Sequence, residues 1–561
     1  MSVGDLVPRL YSVFKGVDFR GEEVALTRSP DSLNVWKDYK TIESIRTRPG
    51  MELLENFKTP VWGVFFYTVG NDEMMLVHSG TSLYRVSGGE IIQIYTGLMP
   101  ARSQSFVYNN IWYFKDGINY LQYDGDEIGE VVGYVPTTTI GRKPAGGGTQ
   151  YEDVNMLSSL RMNSFLADGE SVEYYLDATG IDSGYKPIVR VNDILVEDFT
   201  VNYAKGLITF KKAPEEPLTD GQDNVLIKFR KTVADHRGRI NNCRLLQVFD
   251  NRVFFSGNPD YPNTVWHSSL NDLSYCSDLD YYNEGLDLAA VTGLVAGNNA
   301  LWVFKEPSQA NTAVFYHNPT IDSAYGKVYP STHSSIATGC VGAAINFNDD
   351  IAFFSDRGME AINGDITTEQ VIAHRSSMVD RKLLAESSYS DMILEEWEGY
   401  LLVFVGNKVY LADSKGIHTI DKHVEYEWFY WELEKDITCT IVHNGILYLG
   451  AEDGVYTLTD TEAAIHSYWT TPIDKFKNPQ YLKTTNKKGC IIEATGDITV
   501  SVKTNRTEWR EVSSHKEVTD HIICRVKEKK FKDIQLKFSS DTRFSLEQAV
   551  LECFVGGYIK R

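Results

Sequence analysis

One pattern constrains the fold of this chain more than any other. An apolar strand is followed by two polar turn residues, a second apolar strand, a Gly or Asp-Gly, and a third strand. It appears in MMLVHSGTSLYRVSGGEIIQIYTG (74–97) and SFVYNNIWYFKDGINYLQYDGDEIGEVV (105–132), where Asn109-Asn110 and Asp116-Gly117 are the turn signals. It returns in 245–257, 293–306, 343–364, 394–416 and 440–460, about seven units in all. A lone hairpin cannot bury both of its faces, so small repeated sheets must pack on one another, and radial packing protects their edges. The expected fold is all-β, an irregular β-propeller of about six to seven blades. Aromatic residues, 12% of the chain with 32 Tyr and 26 Phe, suit such pleated surfaces.

The units are interrupted. A Gly-rich stretch, TTTIGRKPAGGGTQ (137–150), reads as a linker into short alternating strands punctuated by Val191-Asn192-Asp193, Ala204-Lys205-Gly206 and Ala213-Pro214. We read 137–243 as a small inserted β-domain. From HSYWTTPIDKFKNPQYLK onward, alternating strands predict a C-terminal β-sandwich over 463–561. The remaining bounds are an N-terminal arm over 1–60 and blades over 61–136 and 244–462. One helix is expected within SSMVDRKLLAES (376–387), with Met378, Leu383 and Leu384 on one face.

Charge and motifs narrow the function. Lys plus Arg total 55 against 76 Asp plus Glu, a net charge of −21. Such a surface repels a phosphate backbone and argues against a direct grip on nucleic acid. The basic clusters KTTNKKG (483–489) and RVKEKKFKD (525–533) are short and read as solvated faces. The seven Cys are widely spaced without CxxC, which gives neither a disulfide framework nor a zinc site and reads as buried thiols in a reducing compartment. The opening MSVGDLVPRLYSVFKGVDF lacks a basic then apolar leader, and no run of about 18 apolar residues predicts a membrane span.

No nucleophile elbow, phosphate loop, dinucleotide fingerprint, zinc-protease helix or EF-hand loop occurs. The expectation is therefore no catalytic residues, no cofactor and no metal. LEEWEGY (394–400) and HVEYEWFYWELEKD (423–436) combine carboxylates with aromatics as glycosidase clefts do. Simple alternation explains them instead, with Glu425, Glu427 and Glu432 toward water and the aromatics packed. KTNRTEWREV (503–512) only distantly matches the turn of sialidase blades, and Asn505-Arg506-Thr507 is a sequon by pattern alone.

The order of the pieces carries a resemblance. Asn34 leads into IRTRPGMELL; hairpin blades follow, then the inserted VRVNDILVEDFTV…GLITFKKAP, then MVDRKLLAES. YWTTPIDKFKNPQYLK opens the last domain, with its turn TNRTEW. This layout resembles the tail-hub or nozzle proteins of short-tailed bacteriophages, also called tail tubular protein B or packaged-DNA stabilisation proteins. The resemblance implies a homo-oligomeric ring, sixfold in the relatives, in the virion tail and assembled in the host cytoplasm. The ring would sit below portal and adaptor proteins, bear fibres, a spike or a plug, and pass viral DNA without sequence-specific binding or membrane insertion. An acidic conduit would repel the phosphate backbone within about 8–10 Å and let it pass. The alternatives are a propeller adhesin for host glycans and, behind it, a glycan hydrolase.

Within this layout the Arg46-Thr47-Arg48-Pro49-Gly50 stretch is a candidate assembly or anchoring turn. Pro49 fixes φ and Gly50 permits a turn closed to other residues, which would steer the arm into the first blade. Arg46 and Arg48 would anchor it on carboxylates of this chain or of a neighbour.

Overall fold

The computed structural model describes residues 5–38, 44–310, 312–323, 326–363, 371–420, 423–460 and 464–558. It is an all-β propeller fold with seven four-stranded antiparallel sheets among the described residues. Six of them turn between their first two strands on a pair of consecutive left-handed residues: Asn109-Asn110, Asp250-Asn251, Asn298-Asn299, Asn348-Asp349, Glu398-Gly399 and Asn444-Gly445. Those pairs match the right-handed twist of the flanking strands, which fixes the hairpin register.

The described chain forms two compact units. One holds residues 93–333 with 67–73. Its sheets 104–130, 245–283 and 291–333 stack through their faces, with Tyr120, Phe255 and Trp266 in one core and Phe254, Val265, Leu301 and Phe315 in the next. The inserted segment carries a six-stranded and a three-stranded sheet with their own core around Phe165, Tyr174, Val189, Ile208 and Phe229. Between them and the following blade lies a helix the sequence did not predict, His236–Asn241.

The other unit holds residues 1–66, 74–92 and 334–561. Its blades are closed by a strand from far away in the chain. Gly454–Thr459, the third strand of the last blade, pairs antiparallel with Gly50–Asn56, from Gly454 opposite Asn56 to Thr459 opposite Gly50. The expected helix over 376–387 shrinks to Asp380–Leu383. Met378, Val379 and Leu383 are buried, but Leu384 is exposed, because four helical residues cover only one turn and the chain leaves it at Leu384.

The terminal domain is built around one long strand, Tyr481–Thr504. Its second half lies between Arg510–Val518 and Ile534–Ser540. Its first half lies between Phe544–Tyr558 and the short strands His521–Cys524 and Lys529–Phe531. One strand thus serves two layers, as at the corner of a sandwich. The arm joins the same sheet: Asp5–Tyr11 pairs with Phe544–Tyr558, Ile45–Thr47 with the same strand, and Ser32–Leu33 with Ser467–Thr470.

Candidate assembly site

The Arg48 segment lies where the arm passes from the terminal sheet into the propeller. Ile45–Thr47 pairs with Val35–Lys37 on one side and with Leu546 and Ser545 on the other. Arg48 and Pro49 then cross to the closing strand. A residue before proline is driven to an extended backbone, so Arg48-Pro49 suits a link between two strands. Gly50 differs from expectation: it is not among the residues at positive φ, but begins the closing strand opposite Thr459. The stretch is an extended crossing into the last blade, and the left-handed residue of this site is Asn34, at φ 56°.

Arg48 is 1% exposed. Its Nε donates to Asn34 Oδ1 at 3.0 Å and its Nη1 to the Pro49 carbonyl at 2.8 Å. Nη2 donates to the Glu432 carbonyl at 3.0 Å and to Glu434 Oε1 at 2.7 Å. Burial pulls this guanidinium below its ordinary value while Glu434 pushes back; a planar fork with five donors still suits four fixed acceptors better than an ammonium would. Asn34 doubles the connection. Its amide donates to the Tyr430 carbonyl, its Nδ2 to the His466 carbonyl and its Oδ1 accepts from Glu432 N. Arm, sixth blade (the four-stranded sheet of residues 393–432), closing strand and the entry to the terminal domain meet on these two side chains. Glu434 is half exposed, so the network reaches the surface.

Arg46 binds Asp38 at 2.6 Å and Asp460 at 3.5 Å, and Asp460 also accepts from Arg543 at 2.8 Å. Both anchoring arginines therefore engage carboxylates of this chain. A polar cavity of about 910 Å³ opens beside them, lined by Arg46, Arg543, Glu493, Glu547 and Gln548 among others.

The arm is held elsewhere by the WTTP segment. Phe14 meets Trp469 edge-on with centroids 5.1 Å apart, and Asp474 receives Arg9 at 2.6 Å and Tyr11 Oη at 3.1 Å. Thr471 Oγ1 accepts from Leu536 N, tying that entry segment to the sheet. TNRTEW is a hairpin turn with Asn505 and Arg506 left-handed, and Arg506 reaches Glu23 at 2.7 Å.

The carboxylate-aromatic strand His423–Glu432 corrects the alternation expected of it. Glu425 and Glu427 are buried along with Tyr426, Trp428, Phe429, Tyr430 and Trp431. The reason is the arm, which covers this outermost strand: Val17 N donates to the Trp428 carbonyl at 2.7 Å and Asn34 N to that of Tyr430 at 3.0 Å. With both sides covered, the charges take internal partners, although Glu425 Oε2 is left without a hydrogen bond. Ser377 Oγ donates to Glu425 at 2.6 Å and Lys37 sits 3.5 Å from Glu427. Nearby, Asp350 takes Arg375 and Tyr426, and His374 lies between Asp380 at 2.7 Å and Glu360 at 3.1 Å, which holds its pKa up at about 10.

Sequence reading missed one polar core. In the other unit His317 Nε2 faces Glu284 Oε1 at 2.8 Å, both fully buried, while His317 Nδ1 faces the Tyr329 carbonyl. Ser331 Oγ donates to the other carboxylate oxygen at 2.5 Å, and Lys305 Nζ donates to the Glu284 carbonyl at 2.7 Å. These residues come from separate segments of the chain, and nothing local in sequence links them. Among the described residues no group of three His, Cys, Asp or Glu could hold a metal ion.

The fold and this site define an all-β propeller chain whose arm, last blade and terminal sheet are joined at a buried arginine. No protein-family model matches the chain, and no curated protein does. Among solved structures, a computationally designed protein, Ika8, is similar over 72% of this chain and 98% of its own, at 10% identity and a TM-score of 0.32. BamB from Moraxella catarrhalis is similar over 74% of this chain and 97% of its own, at 10% identity and a TM-score of 0.32. Hsv2 of Kluyveromyces lactis matches 67% of this chain and 97% of its own, at 10% identity and a TM-score of 0.25.

Proposed function

We propose that this chain is a structural virion protein, the nozzle or tail-hub subunit of a short-tailed bacteriophage, assembled as a ring that conducts and retains DNA. The observation that carries the reading is the joint at Arg48 and Asn34. It falls within the IRTRPG stretch and at the Asn34 position on which the resemblance rests. A part under the pressure of packaged DNA needs ends that do not peel away. Strand Gly50–Asn56 closes the last blade, and strands from residues 5–47 are built into the terminal sheet. The net charge of −21 supports passage of DNA without adhesion.

The aromatic strand His423–Glu432 does not support an adhesin reading, because Tyr426, Trp428, Tyr430 and Trp431 are all at most 1% exposed. Immunogold electron microscopy of purified virions, with antibody to the recombinant chain, tests the proposal. Label confined to the short tail at one vertex is expected; label on peripheral fibres would favour the adhesin, and unlabelled particles would refute a virion role.

A further inference from the structure

The charge of the chain is unevenly placed. Residues 464–561 carry 18 Lys and Arg against 12 Asp and Glu, a net +6, which leaves −27 on residues 1–463. The surplus collects at one end of the terminal sheet, where Lys487, Lys488, Arg525, Lys527, Lys529 and Lys530 are exposed and none makes an ion pair with a described residue. Beside them the outer face of the same sheet bears an apolar row across four strands. Leu10 lies opposite Val550, Val550 opposite Ile491, and Ile491 opposite Ile523. Leu10 and Ile523 are about half exposed, and Leu6 continues the face next to Phe554. Their chain neighbours Ala549, Leu551, Ile492 and Cys524 are fully buried on the other side, so the row belongs to the outer face.

The opposite character appears in the other unit. From residue 253 to 304 there is no Lys or Arg and there are six Asp and Glu, of which Glu284 is buried against His317. This stretch exposes Leu279, Tyr281, Leu286 and Leu288, the last two by 106% and 75%. Leu286 and Leu288 also line a groove of about 900 Å³ together with Glu306 and with Asp287, whose carboxylate pairs with Lys305. An apolar centre with a basic surround and an apolar centre with an acidic surround are complementary in both respects.

We infer that the occupant of each surface is a second copy of this chain: the basic, apolar sheet face of one copy docks on the acidic, leucine-lined groove of the next. Such a contact is heterologous, and a repeated heterologous contact makes either a closed ring or an open chain. For the ring this inference rests on the nozzle reading; for the contact itself it rests on charge and exposure alone.

The test uses the full-length chain in analytical ultracentrifugation over a range of concentration and salt. The basic face is reversed by Lys487→Glu with Lys488→Glu, and the acidic groove by Glu306→Lys with Gln309→Lys, both exposed on its lining. Wild type is expected to associate more weakly as salt rises, and each reversed variant to associate about tenfold or more weakly. Mixing the two variants, or combining all four changes in one chain, is expected to restore association. A wild type that stays monomeric throughout, or reversed variants that associate like wild type, would overturn the inference. So would duplex DNA bound at about 150 mM salt by wild type and lost from K487E/K488E, which would assign the basic face to nucleic acid. Swap-restored association that runs to open filaments would refute the ring and keep the contact; rings indifferent to both reversals would do the reverse.

Discussion

Arg48 and Asn34 are bonded twice over. The arginine Nε donates to Asn34 Oδ1 at 3.0 Å and the arginine backbone amide donates to the Asn34 carbonyl at 2.9 Å. Neither side chain has water to fall back on, as both are buried. Replacing Arg48 by Ala takes this donor from the buried Pro49 and Glu432 carbonyls, while Asn34 Oδ1 keeps its bond from Glu432 N, and we expect a loss of about 3 kcal/mol in denaturant unfolding. Arg48→Lys should recover less than half, since a point charge cannot span four acceptors. A double-mutant cycle with Asn34→Ala should show strong coupling; additive effects would mean the two residues act separately.

Gly16 is the tightest point between the arm and the sixth blade. Its φ is 79°, and a Cβ there would lie 2.0 Å from the Trp428 carbonyl oxygen, which is backbone and cannot yield. Gly16→Ala should cost about 2–4 kcal/mol and expose the arm to protease. A protected arm in that variant would show the contact to be dispensable.

His374 gives the chain an alkaline limit. The Asp380 and Glu360 carboxylates raise its pKa from 6.5 to about 10 in the folded state. A group raised on folding stabilises fully below its unfolded pKa, and that stabilisation is lost as pH rises through the folded value. The advantage of wild type over His374→Gln in thermal unfolding should therefore be greatest below about pH 6.5 and vanish by about pH 10. A gap that does not depend on pH would contradict the charged form.

All seven cysteines are free and buried. Burial pushes the Cys243 and Cys553 thiols up to about 12 and those of Cys276 and Cys490 well above the ordinary range. With so little thiolate present, Ellman's reagent should label the native chain far more slowly than the chain in denaturant. Rapid labelling of the native protein would mean that these sheets open.

The blades were legible because their information is local. Each hairpin announces itself by a two-residue turn such as Asn298-Asn299 or Asn444-Gly445 between apolar runs, and these are the pairs that fold at positive φ. The same is true of the inserted domain's Asn192-Asp193 turn. What was not legible depends on residues some four hundred positions apart. No local pattern says that Gly50–Asn56 completes the blade begun at Cys439, or that residues 14–37 bury the Glu425–Trp431 strand. The burial of Glu427 is thus a tertiary outcome, and alternation alone placed it in water. Arg48 could be singled out through its neighbours Pro49 and Gly50, although its amide partner, Asn34, lies in the arm and its carboxylate, Glu434, beyond the sixth blade.

Cryo-electron microscopy of the tail vertex of purified virions tests the central claim most directly. The account predicts a closed ring on the tail axis below the portal, each subunit fitted by this propeller and its terminal sheet, with a channel wide enough for duplex DNA. Axial density that the fold does not fit, with the chain found only in peripheral fibres or missing from the particle, would contradict it.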